Sequence, residues 1–167
     1  VFSHMAVMYA CALYERGFVH EGFEALSALF EQALDFETSR IYPGIPEYFD
    51  PDGRGAYHYL TGAGAWTLRT VVGQMYGIRG RLGAMCIEPK LLARQFDRNG
   101  VVSVKLRFGG LSWNVAYFDL LGLDYGQYRT ELTLDGTPLP GNTVPRRFME
   151  EAAPGSEHRL EVFLKEK

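Results

Sequence analysis

Apolar positions along the chain change their spacing twice, and those changes mark out its elements. From His4 to Arg16 nearly every residue is apolar around the whole circumference of a helix (Met5, Ala6, Val7, Met8, Ala10, Cys11, Ala12, Leu13), and Gly17 ends it. A helix without a polar face is expected to be covered on all sides. From His20 to Leu34 the pattern is amphipathic: Phe23, Leu26, Phe30 and Ala33 recur at helical steps, while Glu21, Glu24, Ser27, Glu31 and Asp35 take the other face. Gly62 to Tyr76 is again apolar nearly all round, with Arg69 and Gln74 its strongly polar residues, and Gly77 closes it. Beyond Gly80 the period drops to two. Ala84 to Pro89 reads as a short strand. Val101 to Phe108 and Leu111 to Phe118 alternate across Gly109-Gly110 as a hairpin, Tyr128 to Leu134 leads into the turn signal Asp135-Gly136, and His158 to Leu164 is a last strand.

The resulting fold class is α+β. Buried, amphipathic and buried helices in succession are what a double ring of helices shows, and antiparallel strands with irregular links at 138–142 and 152–156 predict a β-sandwich. The two parts, 1–80 and 81–167, meet near Ile78 to Gly83. Successive antiparallel helices make the first and third parallel, so His4 and Thr61 are predicted at N-terminal ends on one rim. Three helices cannot close a ring, which reads as a piece of a longer chain.

The stretch from Arg40 to Trp66 joins the second helix to the third and carries Pro43, Pro46, Pro51, Gly44, Gly53 and Gly55, more than a connector needs. It ends in Leu60-Thr61-Gly62-Ala63-Gly64. A hydroxyl residue and small residues where an apolar helix begins leave amides facing outward, which suits an anion, although on sequence alone an ordinary N-cap is the more common role of such a Thr-Gly pair. His4 on the same rim offers a further donor to that anion, against the usual reading of a lone His as structural or exposed. Glu47, Asp50 and Asp52 offer carboxylates for glycosidic chemistry, but Asp50-Pro51-Asp52-Gly53 is foremost a turn sequence. Arg54 and His58 either line a cleft or pair with those acids; Trp66, Tyr57 and Tyr59 are sugar platforms or core.

Charge and composition narrow the classes. The 167 residues are 47% hydrophobic and 14% aromatic, enough for a substantial core, and a formal charge of −3 with no Lys/Arg cluster argues against nucleic acid. Cys11 and Cys86 sit in apolar patterns without metal-ligand spacing and read as reduced thiols of a cytoplasmic protein. No apolar run has membrane-spanning length.

Several segments together resemble a known family. Val1-Phe2-Ser3-His4, Tyr42-Pro43-Gly44-Ile45-Pro46-Glu47-Tyr48, Gly53-Arg54-Gly55, Tyr59-Leu60-Thr61-Gly62-Ala63-Gly64-Ala65-Trp66 and Gly77-Ile78-Arg79-Gly80-Arg81-Leu82-Gly83, with Ile87-Glu88-Pro89, are similar to the C-terminal part of the inverting glycoside phosphorylases of glycoside hydrolase family 94. The likeness is specific to about residue 90 and looser beyond. It implies the last helices of an (α/α)6 barrel followed by a jelly-roll-like β domain. It also implies that phosphate is held by His4, Thr61 and Gly62 together with upstream arginines. Phosphate, a substrate and not a cofactor, would attack the anomeric carbon of a β-linked gluco-oligosaccharide with inversion, giving a sugar 1-phosphate. The general acid, an Asp in an upstream motif, has no match here, so the chain is expected to contain no catalytic residue and to be inactive without its N-terminal portion. The family is commonly dimeric through other domains, which leaves a homodimer open. Other readings are a non-catalytic carbohydrate-binding or docking module on the strands, with Trp113 and Tyr117 on one or other sheet face, and the C-terminal part of a cyclic β-1,2-glucan synthase.

Overall fold

Helix α1 (Ser3–Glu15) packs against both α2 (Val19–Leu34) and α4 (Gly62–Thr70). The computed structural model describes residues 1–41, 44–57 and 61–167, and the chain divides into two compact units, Val1–Met75 and Tyr76–Lys167. The secondary structure is mixed α+β.

In the first unit, Val7, Ala10, Cys11 and Tyr14 form the buried stripe of α1, at three- and four-residue steps. Gly22 lets α2 come close: a Cβ there would lie 2.8 Å from the Tyr14 ring. The N-terminal ends of α1 and α4 meet at His4 and Gly62. Their C-terminal ends meet where Glu15 Oε1 lies 3.9 Å from Arg69 Nη2 and accepts from Gln74 Nε2 at 3.5 Å. The two helices are therefore parallel, as their patterns predict.

The expected all-round cover of the apolar helices is not found. Met5 and Tyr9 of α1 and Leu68 of α4 are exposed, so each helix keeps a bare apolar side. The third helix also departs from one continuous α-helix to Tyr76: after Thr70 it widens into a π-helical stretch, Val71–Met75. Such a bulge carries no sequence signature of its own.

The long connection has local order. A short α3 (Phe36–Ser39) is followed by a small hairpin of β1 (Tyr48–Phe49) and β2 (Gly55–Ala56). Asp50 closes its turn by accepting from the amides of Asp52 and Arg54 at 3.0 and 2.9 Å. This is the turn role that Asp-Pro-Asp-Gly predicts. Ser3 donates its amide to Glu47 O at 2.8 Å and Phe49 donates to Val1 O at 2.8 Å, so the hairpin is sewn to the start of α1.

In the second unit a three-stranded sheet, β3 (Ile78–Arg81), β4 (Ala84–Ile87) and β9 (Thr143–Val144), is ordered β3-β4-β9 and antiparallel. A five-stranded sheet has the order β5-β6-β10-β7-β8. Its members are β5 (Val101–Phe108), β6 (Leu111–Phe118), β7 (Tyr128–Leu134), β8 (Thr137–Leu139) and β10 (Glu157–Glu166). β5 and β6 are the predicted hairpin, and β7-Asp135-Gly136-β8 is a second; both Asp135 and Gly136 have positive φ, as a tight primed turn requires. The expectation of purely antiparallel strands fails at one seam. β10 enters between β6 and β7, parallel to the first and antiparallel to the second. Alternation alone says which face a strand buries and is silent on its direction.

One face of the large sheet is apolar: Trp113, Val115 and Tyr117 of β6 align with Leu160 and Val162 of β10 and with Leu132 and Leu134 of β7, all buried. Polar atoms that enter this core are matched. Trp113 Nε1 donates to Phe108 O at 3.0 Å, Tyr117 OH to Tyr76 O at 2.6 Å, and Tyr128 OH to Pro89 O at 3.0 Å while accepting the Leu91 amide at 2.9 Å. Burial pushes the Tyr117 and Tyr128 hydroxyls well above the ordinary tyrosine range. A short helix, α5 (Arg146–Glu151), escapes the sequence reading although Arg146–Glu150 and Arg147–Glu151 stand at helical spacing and pair.

Candidate functional site

The imidazole of His4 lies directly on Gly62. A Cβ at Gly62 would fall 2.5 Å from His4 Cε1 and 2.6 Å from Nδ1, so only a glycine admits the ring in this position. The contact follows from the parallel pairing of α1 and α4, which sets the second residue of α1 beside the first of α4. Thr61 is the N-cap of α4: its Oγ1 accepts from the Gly64 amide at 3.3 Å. A hydroxyl that accepts from a cap amide still has its own hydrogen to donate. The amides of Gly62 and Ala63, in the first helical turn, have no acceptor within the helix. The structure thus brings His4 and Gly62 together, with Thr61 preceding Gly62 in the chain.

Glu47 joins this group, held by the bond from Ser3 to its carbonyl. Its Oε1 is 3.8 Å from His4 Nδ1, and its Oε2 is buried without a hydrogen-bond partner among the described residues, as is Ser3 Oγ. A carboxylate beside one ring nitrogen orients the imidazole. The sequence reading weighs Glu47 only as a catalytic acid and does not pair it with His4; adjacency of residues 3 and 47 through a strand-like bridge leaves no sequence signal. Trp66 is half-buried, its ring 6.4 Å from that of His4 and under the Arg69 guanidinium at 4.8 Å. Tyr57 and Arg54 are exposed on the loop. Tyr42, Pro43, His58, Tyr59 and Leu60 lie outside the described residues.

What can this arrangement do chemically? A helix N-terminus with its positive dipole end, a hydroxyl donor and an imidazole stand close together, with the Glu47 carboxylate beside the imidazole. That is a recognition set for a compact oxyanion.

A second constellation, in the Tyr76–Lys167 unit, was not foreseen. Ser156 Oγ is 2.7 Å from His158 Nε2, and His158 Nδ1 is 2.7 Å from Asp135 Oδ2. Asp135 Oδ1 accepts the Arg159 amide at 2.8 Å. Phe148 and Trp113 flank the imidazole at 4.9 and 5.4 Å. The bond order is that of a nucleophile triad, yet the amides beside the serine are occupied: Gly155 donates to Gly110 O and Ser156 to Ala153 O, both at 3.0 Å. An acyl oxyanion would find neither of them free. The chain of bonds is a latch that ties the β7–β8 turn to the start of β10. Desolvation opposes ionisation of Asp135, but the hydrogen bonds from His158 and the Arg159 amide outweigh it and hold its carboxyl below the ordinary 3.8. A carboxyl depressed in the folded state contributes stability above its unfolded value and loses it as pH falls through the folded one. Acid denaturation below pH 3.8 is therefore expected to be steeper for the native chain than for Asp135→Asn, measured by denaturant unfolding at stepped pH. Asp135 is 45% exposed, so screening keeps the contribution to about 1 kcal/mol or less.

Among the described residues no helix is long and apolar enough to cross a membrane, and no group of three or more His, Cys, Asp or Glu is placed to hold a metal. Cys11 and Cys86 are free thiols. No protein-family model matches the chain, and no curated protein matches it.

Proposed function

We propose that this chain supplies part of the inorganic-phosphate site of an inverting β-glycoside phosphorylase, with His4, Thr61 and Gly62 as its phosphate ligands. The observation that carries the reading is the seat of the His4 ring on Gly62, which unites a side-chain donor with a helix N-terminus across 58 residues of chain. The likeness of the surrounding motifs to family 94 supplies the reaction. The bare apolar sides of α1 and α4 are what inner helices of an (α/α)6 barrel would present to further helices, and they support that architecture for the first unit.

In the proposed reaction phosphate attacks the anomeric carbon of a β-glucosidic bond, so no water has to be activated. The α4 amides, the Thr61 hydroxyl and His4 position the phosphate and offset part of its charge as it approaches. Glu47, 3.8 Å from His4 Nδ1, orients the imidazole. Protonation of the departing sugar oxygen falls to a carboxylic acid contributed from elsewhere in the enzyme, and a reduced, cytoplasmic setting suits the two thiols. The strand unit lends less to the alternative of a sugar-stacking module: Trp113 and Tyr117 are both buried on the inner face.

Phosphate titration followed by the His4 ring resonances tests the site. Native chain is expected to bind, and His4→Ala and Thr61→Ala each to weaken binding about tenfold, the value of one charge-assisted hydrogen bond. Unchanged binding in both variants would remove the basis of the proposal.

A further inference from the structure

A groove of about 580 Å³ lies against the β5, β6 and β10 part of the five-stranded sheet, lined by residues of its polar face and bordered by Trp113 and His158. Strand register sets out its chemistry in two rows. Lys105 of β5 stands opposite Asn114 of β6, which stands opposite Arg159 of β10; next to it Arg107 stands opposite Ser112, and Ser112 opposite Glu157. Neighbours along a strand on one face are about 7 Å apart and neighbouring strands about 5 Å. Four donors, Lys105, Arg107, Ser112 and Asn114, thus occupy one small rectangle. None of the four side chains has a hydrogen bond or ion pair among the described residues, whereas Arg159 is paired with Glu161 at 2.8 Å.

The acids of the groove do not cancel this. Asp135 has both oxygens engaged by the latch to His158 and the Arg159 amide, which leaves Glu157 against two unpaired cations. Among the described residues the groove offers little open stacking surface for a neutral glucan. Trp113 borders the groove but is only 2% exposed, and the aromatic pair Phe118 on Phe163, with centroids 5.0 Å apart on the polar face, lies at the far end of the strands. An amide, a hydroxyl and a carboxylate beside two cations are suited to hydroxyls next to an anionic group.

We propose that this groove is a binding site for a small sugar bearing a phosphate or carboxylate group, with Lys105 and Arg107 gripping the anion and Ser112, Asn114 and Glu157 the hydroxyls. It is a separate site from the His4–Gly62 cluster, and it stands whether or not that cluster binds phosphate.

Calorimetric titration of the whole chain with glucose 1-phosphate, glucuronate and cellobiose tests it. Glucose 1-phosphate or glucuronate is expected to bind, the better of the two identifying the anion. Lys105→Ala and Arg107→Ala, at exposed positions away from the core, are each expected to raise Kd about tenfold, and rising salt to weaken binding further. Cellobiose is expected to show no heat that these variants change. Arg129→Ala, a surface cation of β7 that is paired with Glu131 and does not line the groove, is the control and is expected to leave this binding unchanged, and inorganic phosphate followed by the His4 ring resonances is expected to titrate alike in the native, Lys105 and Arg107 chains, which distinguishes the two sites. Failure of both anions to bind, equal binding in the Lys105 and Arg107 variants, or an equal loss through Arg129→Ala would each overturn the proposal.

Discussion

A Gly77→Ala chain is expected to lose roughly 2–4 kcal/mol from the stability of the Tyr76–Lys167 unit, the sum of a strained backbone and an overpacked contact. Gly77 has φ +68°, and a Cβ there would sit 2.0 Å from Glu88 O and 2.1 Å from its carbonyl carbon. Both are main-chain atoms, and the Glu88 amide is itself bonded to Gly77 O at 2.9 Å, so neither side can swing aside as a flexible side chain would. The partner strands β3 and β4 leave this point in register, Ile78 opposite Ile87, and a shift here propagates to both. Gly110→Ala is the matched control. It has the same sign of φ, +78°, with nothing within 4 Å of the added atom, and is expected to cost only about 1 kcal/mol for the left-handed backbone. Denaturant unfolding of the three chains, followed by the near-ultraviolet signal of the buried Trp113, checks the order; equal midpoints for Gly77→Ala and native would contradict the close backbone approach.

Gly62→Ala is expected to behave in the opposite way, sparing the fold and abolishing phosphate binding. The added carbon meets the His4 ring at 2.5 Å, but that side chain is 30% exposed and can rotate outward. The helix gains from losing a glycine in its first turn, by a few tenths of a kcal/mol, and the displaced imidazole leaves the donor set. A phosphate affinity reduced at least tenfold with an unfolding midpoint within about 0.5 kcal/mol of native is the expected pair of results. Gly64→Ala, two residues on with nothing within 4 Å, is expected to change neither. Native-like phosphate binding by Gly62→Ala would show that the ring contact is packing alone.

How much of this was legible beforehand depends on what each signal reports. Periodicity locates α1, α2, α4 and the hairpin β5–β6 because burial of one face is imposed residue by residue, and the parallel course of α1 and α4 follows from counting turns. It cannot reveal which side of α1 or α4 is covered, since an all-apolar surface looks the same from every direction; Met5, Tyr9 and Leu68 are exposed where cover was expected. The place of β10 was hidden for a related reason. Its alternation is the same whether it pairs with β6, β7 or both, and the parallel neighbour is 45 positions away, Ser112 opposite Glu157. At the candidate site, Thr61 and Gly62 announce a helix start, and His4 was placed near them by helix direction. Glu47 was not, because its approach to His4 is made by main-chain bonds from Ser3 and Phe49, which no side-chain pattern encodes. The Ser156–His158–Asp135 latch shows the same limit: an alternating Ser-Glu-His tripeptide is ordinary in a strand, and the turn residue that completes it lies three elements earlier, before β8, β9 and α5.

The central position of β10 has a bearing on how the protein is made. Residues 157–166 are the wedge between β6 and β7, so until they leave the ribosome the large sheet exists only as two separate hairpins, each with one half-finished border exposed. The sheet is therefore assembled late and from distant parts of the chain, a slow route during which synthesis has to outrun self-association.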